Sequence, residues 1–247
     1  QLAFTAINGG VEVFGGIALN LAVGGINPAA VQRMVEMHGR RGRVVWLPTF
    51  DAENQVRRSG EKRPAVAVVR DGRIVPELEA VLRLVATHDL LLATGHSSLE
   101  ECRLILTAAR AAGVKHLLVT HAMLPILEAT TEQLIELADL GACIEFAWLM
   151  HSTPRVAPGT PAALAQPMVP LERGISAMRA LGPKRCVISS DFGQATNPTP
   201  AEGLRTFIQA LLSAGFTPAD IDHMVRLNPA RLLRLPPGEA SPASPAR

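Results

Sequence analysis

Three residues in this sequence stand where an apolar run gives way to a turn, and each carries a group able to bind a metal or move a proton. "LLLATGH" ends on His96, "LLVTH" ends on His121, and "RCVISSD" ends on Asp191. Further polar residues gather in similar places: Asp51 shortly after "WLPTF", Glu145 inside "CIEFAW", and His151 a few residues later. If those runs are parallel strands, their C-terminal ends meet at one rim, the edge where α/β folds bind ligands. Imidazole and carboxylate together form the ligand set of a divalent ion such as zinc or manganese. Such an ion lowers the pKa of a bound water to roughly 7 and makes it a nucleophile at neutral pH. Asp191 could ligate the ion, take the proton of the water, or do both.

The remaining candidates have two readings each. Glu145 lies within its strand and reads equally as a ligand or as a salt-bridged core group. His151 stands at the mouth of a long loop, where a solvated side chain or a substrate contact would both fit. The glycines of "GGIALNLAVGG" match neither phosphate-loop pattern, so that stretch reads as a tight turn near the rim, with Asn20 a candidate for substrate contact. His116 opens its strand and therefore belongs to the opposite end of the sheet, where it is given no role.

The elements that must position these residues alternate strand with helix, the signature of βαβ units and a parallel sheet. Six strands are predicted, at 11–19, 43–49, 90–94, 116–120, 142–148 and 185–190. Between them the helix boundaries are legible. Asn27 before Pro28 gives a cap and a first helical position, while Ser98 with Glu101 and Thr130 with Gln133 make two capping boxes. Gly113 and Gly141 then stop the two helices that follow those boxes. His96 to His121 is 25 residues and His121 to Glu145 is 24, so strand ends recur with the period of one βα unit.

Two stretches interrupt the rhythm. Residues 63–78 contain two apolar runs around Asp71-Gly72, a strong hairpin signal, and predict a β-hairpin inserted over the same rim. Residues 151–170 carry five prolines and predict a long loop after the fifth strand. Both follow strands, so both are expected on the ligand face as lids. Residues 1–236 are expected to form one domain, and the Pro-rich tail 237–247 to be disordered.

Composition narrows the classes. Among 247 residues, 24 basic and 22 acidic groups leave a net charge of +2, and aromatics are only 4%. That offers no basic, aromatic-bearing surface for nucleic acid. No apolar run reaches the roughly 18 residues of a membrane span. The three cysteines, Cys102, Cys143 and Cys186, have neither paired nor CxxC spacing. They read as small buried apolar residues of a reducing, cytoplasmic protein. The expected partner is a small-molecule substrate, and a homo-oligomer is compatible with the sequence.

The constellation of "TGH", "VTH", "SSDFGQ" and the closing "RLNPARLLRL" resembles the amidohydrolase superfamily of metal-dependent hydrolases. More closely, "GGIALNLAVGGINPAAV", "VVWLPTFDAEN", "LLATGHSS" and "SSDFGQATNPTPAEGL" resemble a branch of it labelled only as a domain of unknown function. The likeness runs from about residue 10 to 235. It implies a (β/α)8 barrel in which His96 and His121 bind a divalent metal, most readily zinc, and Asp191 both binds it and acts as general base. It implies a hydrolase of a small amide, lactone or ester. A metal-dependent decarboxylase or hydratase on the same barrel, or a barrel without activity, are the alternatives. The first-strand HxH pair of the superfamily has no counterpart in the chain, and no fourth-strand bridging Lys or Glu is evident; Asp51 comes slightly later instead. Eight strands close such a barrel and six are visible, and the opening "QLAFTAINGG" reads as the end of a helix. The expectation is a barrel incomplete at its N-terminus, with a gap between the strands at 11–19 and 185–190 or a neighbouring chain filling it, and with weak or no metal binding by this chain alone.

Overall fold

The computed structural model describes residues 13–152, 169–195 and 197–235. Six parallel strands make one sheet: β1 (Gly15–Ala18), β2 (Gly42–Trp46), β5 (Leu91–Ala93), β6 (His116–Val119), β7 (Cys143–Ala147) and β8 (Cys186–Ser189), neighbours in that order. Each overlaps a predicted strand; β2 starts one residue earlier than predicted, at Gly42, and stops three residues sooner, at Trp46. β1 holds four residues, Gly15–Ala18, and its register with β2 shifts between Gly15 and Gly16; residues 11 and 12 of the run predicted for it lie outside the described residues. Among the described residues the sheet ends on β1 and β8, the two edges expected from the sequence.

Alternation along each strand separates two apolar layers. Val45, Leu92, Leu117, Val119, Ile144, Phe146, Cys186 and Ile188 face the helices and belong to the larger core. Val44, Leu91, Ala93, Leu118, Cys143 and Val187 point the other way and pack with Leu232. That leucine comes from the short helix Asn228–Leu232 in the predicted closing motif. Buried Asn228 anchors the helix by donating its amide to the carbonyls of Pro183 and Cys186, at 2.8 and 2.7 Å.

The expected caps are present. Asn27 accepts from the N–H groups of Ala29 and Ala30 at the start of Pro28–Glu36, and capping boxes open Leu99–Ala111 and Thr131–Asp139. Two further boxes, Thr199 with Glu202 and Thr217 with Asp220, open Pro200–Ser213 and Pro218–Asp222. Gly113 and Gly141 lie at φ 85° and 94°, as helix-stop glycines should. All three cysteines are buried and unpaired.

The inserted hairpin is far smaller than 63–78. Its strands β3 (Val69–Arg70) and β4 (Arg73–Ile74) hold two residues each around Asp71-Gly72, both with positive φ. The rest of the segment goes elsewhere. Val66 bridges to Ala52, and a helix, Pro76–Thr87, already begins at Pro76. Proline suits the first helical turn, so the apolar run after the hairpin is taken by a helix and not by a returning strand. Arg63 pairs with Asp51 and Arg70 with Glu53, which ties the segment to the loop and helix after β2. Most of the predicted loop 151–170, the helix end read in residues 1–10 and the tail 237–247 lie outside the described residues. Among the described residues, no helix is long and apolar enough to cross a membrane.

Candidate functional site

β5 and β6 end on the same short grammar, Thr94-Gly95-His96 and Thr120-His121. The two threonines join the strand ends reciprocally. Thr94 Oγ1 accepts from the Thr120 N–H at 3.1 Å, and Thr120 Oγ1 accepts from the Gly95 N–H at 3.1 Å. Gly95 then turns at φ 60°, where a Cβ would come within 2.4 Å of the carbonyl oxygens of Leu47 and Pro48. Only glycine lets the chain pass so close to the end of β2. The result sets the His96 and His121 rings edge to face, with centroids 5.1 Å apart.

His96 is 7% exposed. Its N–H donates to the Pro48 carbonyl at 2.9 Å, and its Nδ1 meets Gln55 Oε1 at 3.1 Å. Burial pushes its pKa down to about 3, and the nearby His121 adds to the effect, so the ring is neutral at physiological pH.

His121 has the opposite electrostatics. Burial opposes its charged form, but the Asp191 carboxylate and the Glu145 charge outweigh burial and move its pKa upward. His121 Nε2 lies 3.3 Å from Asp191 Oδ2, and its own N–H donates to Glu145 Oε2 at 3.2 Å. His121 and Asp191 both hold left-handed backbone, at φ 53° and 54°. Non-glycine residues in that region cost roughly 1–3 kcal/mol and are concentrated at functional sites. A sharp turn directly after β6 and after β8 brings the two side chains over the sheet end.

The other sequence-derived candidates divide. Glu145 joins the site, since it shares the inward face of β7 with Cys143 and holds the His121 turn. Asp51 does not: one carboxylate oxygen accepts from the Leu21 N–H and the other pairs with Arg63. Asn20 is likewise used within the fold. Its amide donates to Thr49 Oγ1 and accepts from the N–H groups of Thr49 and Asp51, so it ties the loop after β1 to the loop after β2. His151 is buried, not solvated. It packs among Trp148, Phe207 and Gly174, and its Nδ1 bonds the Val169 carbonyl at 3.0 Å. The apolar side chains of helix Pro200–Ser213 and the turn after β7 enclose it, which no local pattern announces. His116 sits at the other end of β6 near Asp89, as expected.

Sequence reasoning missed Asn54, Gln55, Thr94, Thr120 and Phe50. Asn54 donates to the carbonyls of His96 and Ile126, both at 3.1 Å. Phe50 is 51% exposed and stands edge-on to His96 with ring centroids 5.8 Å apart. One signal was available. Thr94 and Thr120 each directly follow the apolar run of their strand, two residues before His96 and one before His121, and polar residues at matching strand ends are candidates for cross-strand bonding.

The residues fit a divalent cation at one pair. Two ligands on a tetrahedral ion with bonds of about 2.0–2.1 Å lie about 3.3 Å apart, the separation seen between His121 Nε2 and Asp191 Oδ2. A charge-assisted hydrogen bond would ordinarily be shorter, at about 2.7–2.9 Å. His96 adds a neutral imidazole beside the pair. Among the described residues, no group of three or more His, Cys, Asp or Glu side chains is gathered closely enough to hold a cation. The pair with its neighbouring ring is thus an incomplete coordination sphere.

Residues 1–145 match the model of a family described as "Family of unknown function (DUF6282)". No curated protein matches the chain. Among solved structures, a resiniferatoxin-binding protein from Rhodobacter sphaeroides is 18% identical with a TM-score of 0.62, over 94% of this chain and 66% of that one. The phosphotriesterase homology protein from Escherichia coli, with phosphate in its active site, is 19% identical with a TM-score of 0.55, over 93% and 77%. An amidohydrolase from Burkholderia multivorans is 12% identical with a TM-score of 0.53, over 95% and 88%. At such identities the likeness shows the fold, an α/β fold of the amidohydrolase barrel type.

Proposed function

The chain belongs to the family of unknown function DUF6282, and we propose that it is a metal-dependent hydrolase of a small amide, lactone or ester. The observation that carries this reading is the His121–Asp191 pair at 3.3 Å, poised on two left-handed turns at the end of a parallel sheet. His121 and Asp191 would hold a divalent ion, zinc or manganese by their N and O donors, with His96 as a further imidazole beside them to be drawn in as the sphere is completed. Such an ion supplies Lewis acidity toward a carbonyl and toward water. The rest is work for the chain. Asp191, whose side chain is 35% exposed, accepts the proton of the attacking water as general base and can return it to the leaving group. Glu145 fixes the backbone of His121 and supplies negative charge beside it. Phe50 offers an apolar edge over His96 against which a small substrate can lie. Solved proteins of this fold include a metallo peptidase from Rhodobacter sphaeroides and an organophosphate hydrolase engineered from a weak promiscuous lactonase, which supports testing both amides and lactones.

The test is metal content and turnover on the full chain supplied with zinc or manganese, against panels of lactones, esters and amides. A parent that takes up metal and turns over one of these classes is expected, with kcat/KM falling by at least about 100-fold in His96→Ala and Asp191→Ala. A parent that takes up no metal, or an Asp191→Ala variant as active as the parent, would overturn the reading.

A further inference from the structure

We infer that the cavity at the N-terminal end of β2 and β5 binds a small organic diphosphate ester, the class that includes a nucleoside diphosphate. It lies at the pole opposite His121 and Asp191, roughly 15 Å away at about 3.3 Å per residue of the five-residue β2. The inference needs no part of the hydrolase reading.

The cavity holds about 850 Å³, within the range of about 300–1,000 Å³ typical of small-molecule sites. Three guanidiniums line it, those of Arg40, Arg43 and Arg234, and the imidazoles of His38 and His88 add further N–H groups. Glu36, the one lining carboxylate among the described residues, is engaged by Arg33 at 2.7 Å and by Gln32 at 3.0 Å. Asp89 does not neutralise Arg234 either. It is shared by Arg234, His116 and Lys115 at 3.6, 3.5 and 3.7 Å, all longer than an ordinary hydrogen bond of about 2.7–3.2 Å. The helices Pro28–Glu36 and Pro76–Thr87 end beside the cavity. Their C-terminal partial charges, about half a unit each, are outweighed by the full charges of the arginines.

Arg40 and Arg234 hold left-handed backbone, at φ 50° and 58°, where glycine or asparagine is usual. Arg234 directly follows Leu233, the C-cap of Asn228–Leu232. Arginine at these positions gives up stability that glycine would keep, and both guanidiniums line the cavity. Arg43 is held by Phe14, its guanidinium 5.8 Å from the ring centroid.

Charge and lining choose the ligand. A guanidinium meets a phosphate through two parallel N–H···O bonds. One phosphate group, at about −1.5 to −2, leaves part of the arginine charge unmatched, and a diphosphate takes up the rest. Val35, Leu90 and Met37, the last 67% exposed, add an apolar wall for the organic part.

The experiment is calorimetric titration of the metal-free full chain with ADP, pyrophosphate and citrate. The parent should bind one ADP, more tightly than either of the others, with affinity falling as salt rises. Arg40→Gly suits the left-handed backbone and should keep the fold while weakening ADP binding about 10-fold. An Arg40→Ala, Arg234→Ala double variant should lose more. A Lys62→Ala, Arg205→Ala variant removes the same charge from exposed positions outside the cavity and should bind as the parent does. No ADP binding by the parent, an Arg40→Gly variant that binds as the parent does, or pyrophosphate or citrate held as tightly as ADP would overturn the inference. So would loss of ADP binding in a His121→Ala, Asp191→Ala variant, which would put the ligand at the other pole.

Discussion

Thr94 and Thr120 exchange hydrogen bonds across the ends of β5 and β6, each hydroxyl oxygen accepting a backbone N–H of the other strand end at 3.1 Å. Both are almost fully buried, so these bonds substitute for the ladder that ends one residue earlier. They also fix the distance between the two histidine rings. Thr94→Val or Thr120→Val leaves a buried N–H unpaired at nearly constant volume. The expected loss is about 1–3 kcal/mol of unfolding free energy, measured by urea titration. A loss within error of zero would show that the strand ends find other partners.

Gly95 is expected to tolerate no side chain. Its φ of 60° and the 2.4 Å approach of a Cβ to two carbonyl oxygens combine backbone strain with a clash against rigid main chain. Gly95→Ala should cost at least about 2 kcal/mol and displace His96. Denaturant melts check the first part. A soluble variant with parental stability would mean that the β2 end yields easily.

His151 gives a pH dependence whose sign follows from its surroundings. Burial lowers its pKa, and the Val169 carbonyl and Glu172 only partly offset this. Between the lowered folded value and the unfolded value of about 6.5, the unfolded chain binds the extra proton. The stabilising effect of the neutral ring is therefore complete above about pH 6.5 and is lost as pH falls below it. In urea melts of metal-free protein from pH 7.5 to 5, His151→Gln should show a shallower fall than the parent. His96 shifts in the same direction, so the slope should be reduced and not abolished. Parallel pH profiles would show that His151 does not contribute.

A bound cation should stabilise the fold by mass action. With zinc or manganese at about 100 times its Kd, the unfolding free energy should rise by about 2.7 kcal/mol, and the rise should vanish in a His121→Ala, Asp191→Ala double variant. Thermal shift with and without a chelator measures it. An equal rise in the double variant would place the ion elsewhere.

Much of this molecule is local in origin and could be read from the chain. Strand positions follow from apolar runs such as "LLLAT" and "RCVIS", and helix starts follow from Asn27, Ser98 and Thr130, because caps and burial periodicity act over a few residues. The strand-end positions of His96, His121 and Asp191 follow for the same reason. What their side chains touch was decided by the sheet. Parallel pairing of β5, β6, β7 and β8 brings together residues 24 to 95 positions apart, and it sets Glu145 beneath the His121 turn while leaving Asp51 to Arg63. Gln55 carries no sequence signal, because an amide in a short helix looks solvated until tertiary packing buries it against His96. The burial of His151, against the solvated reading, has the same physical reason. Burial is a property of the three-dimensional neighbours, here Trp148, Phe207 and Gly174, and two of those three lie well away from it in sequence.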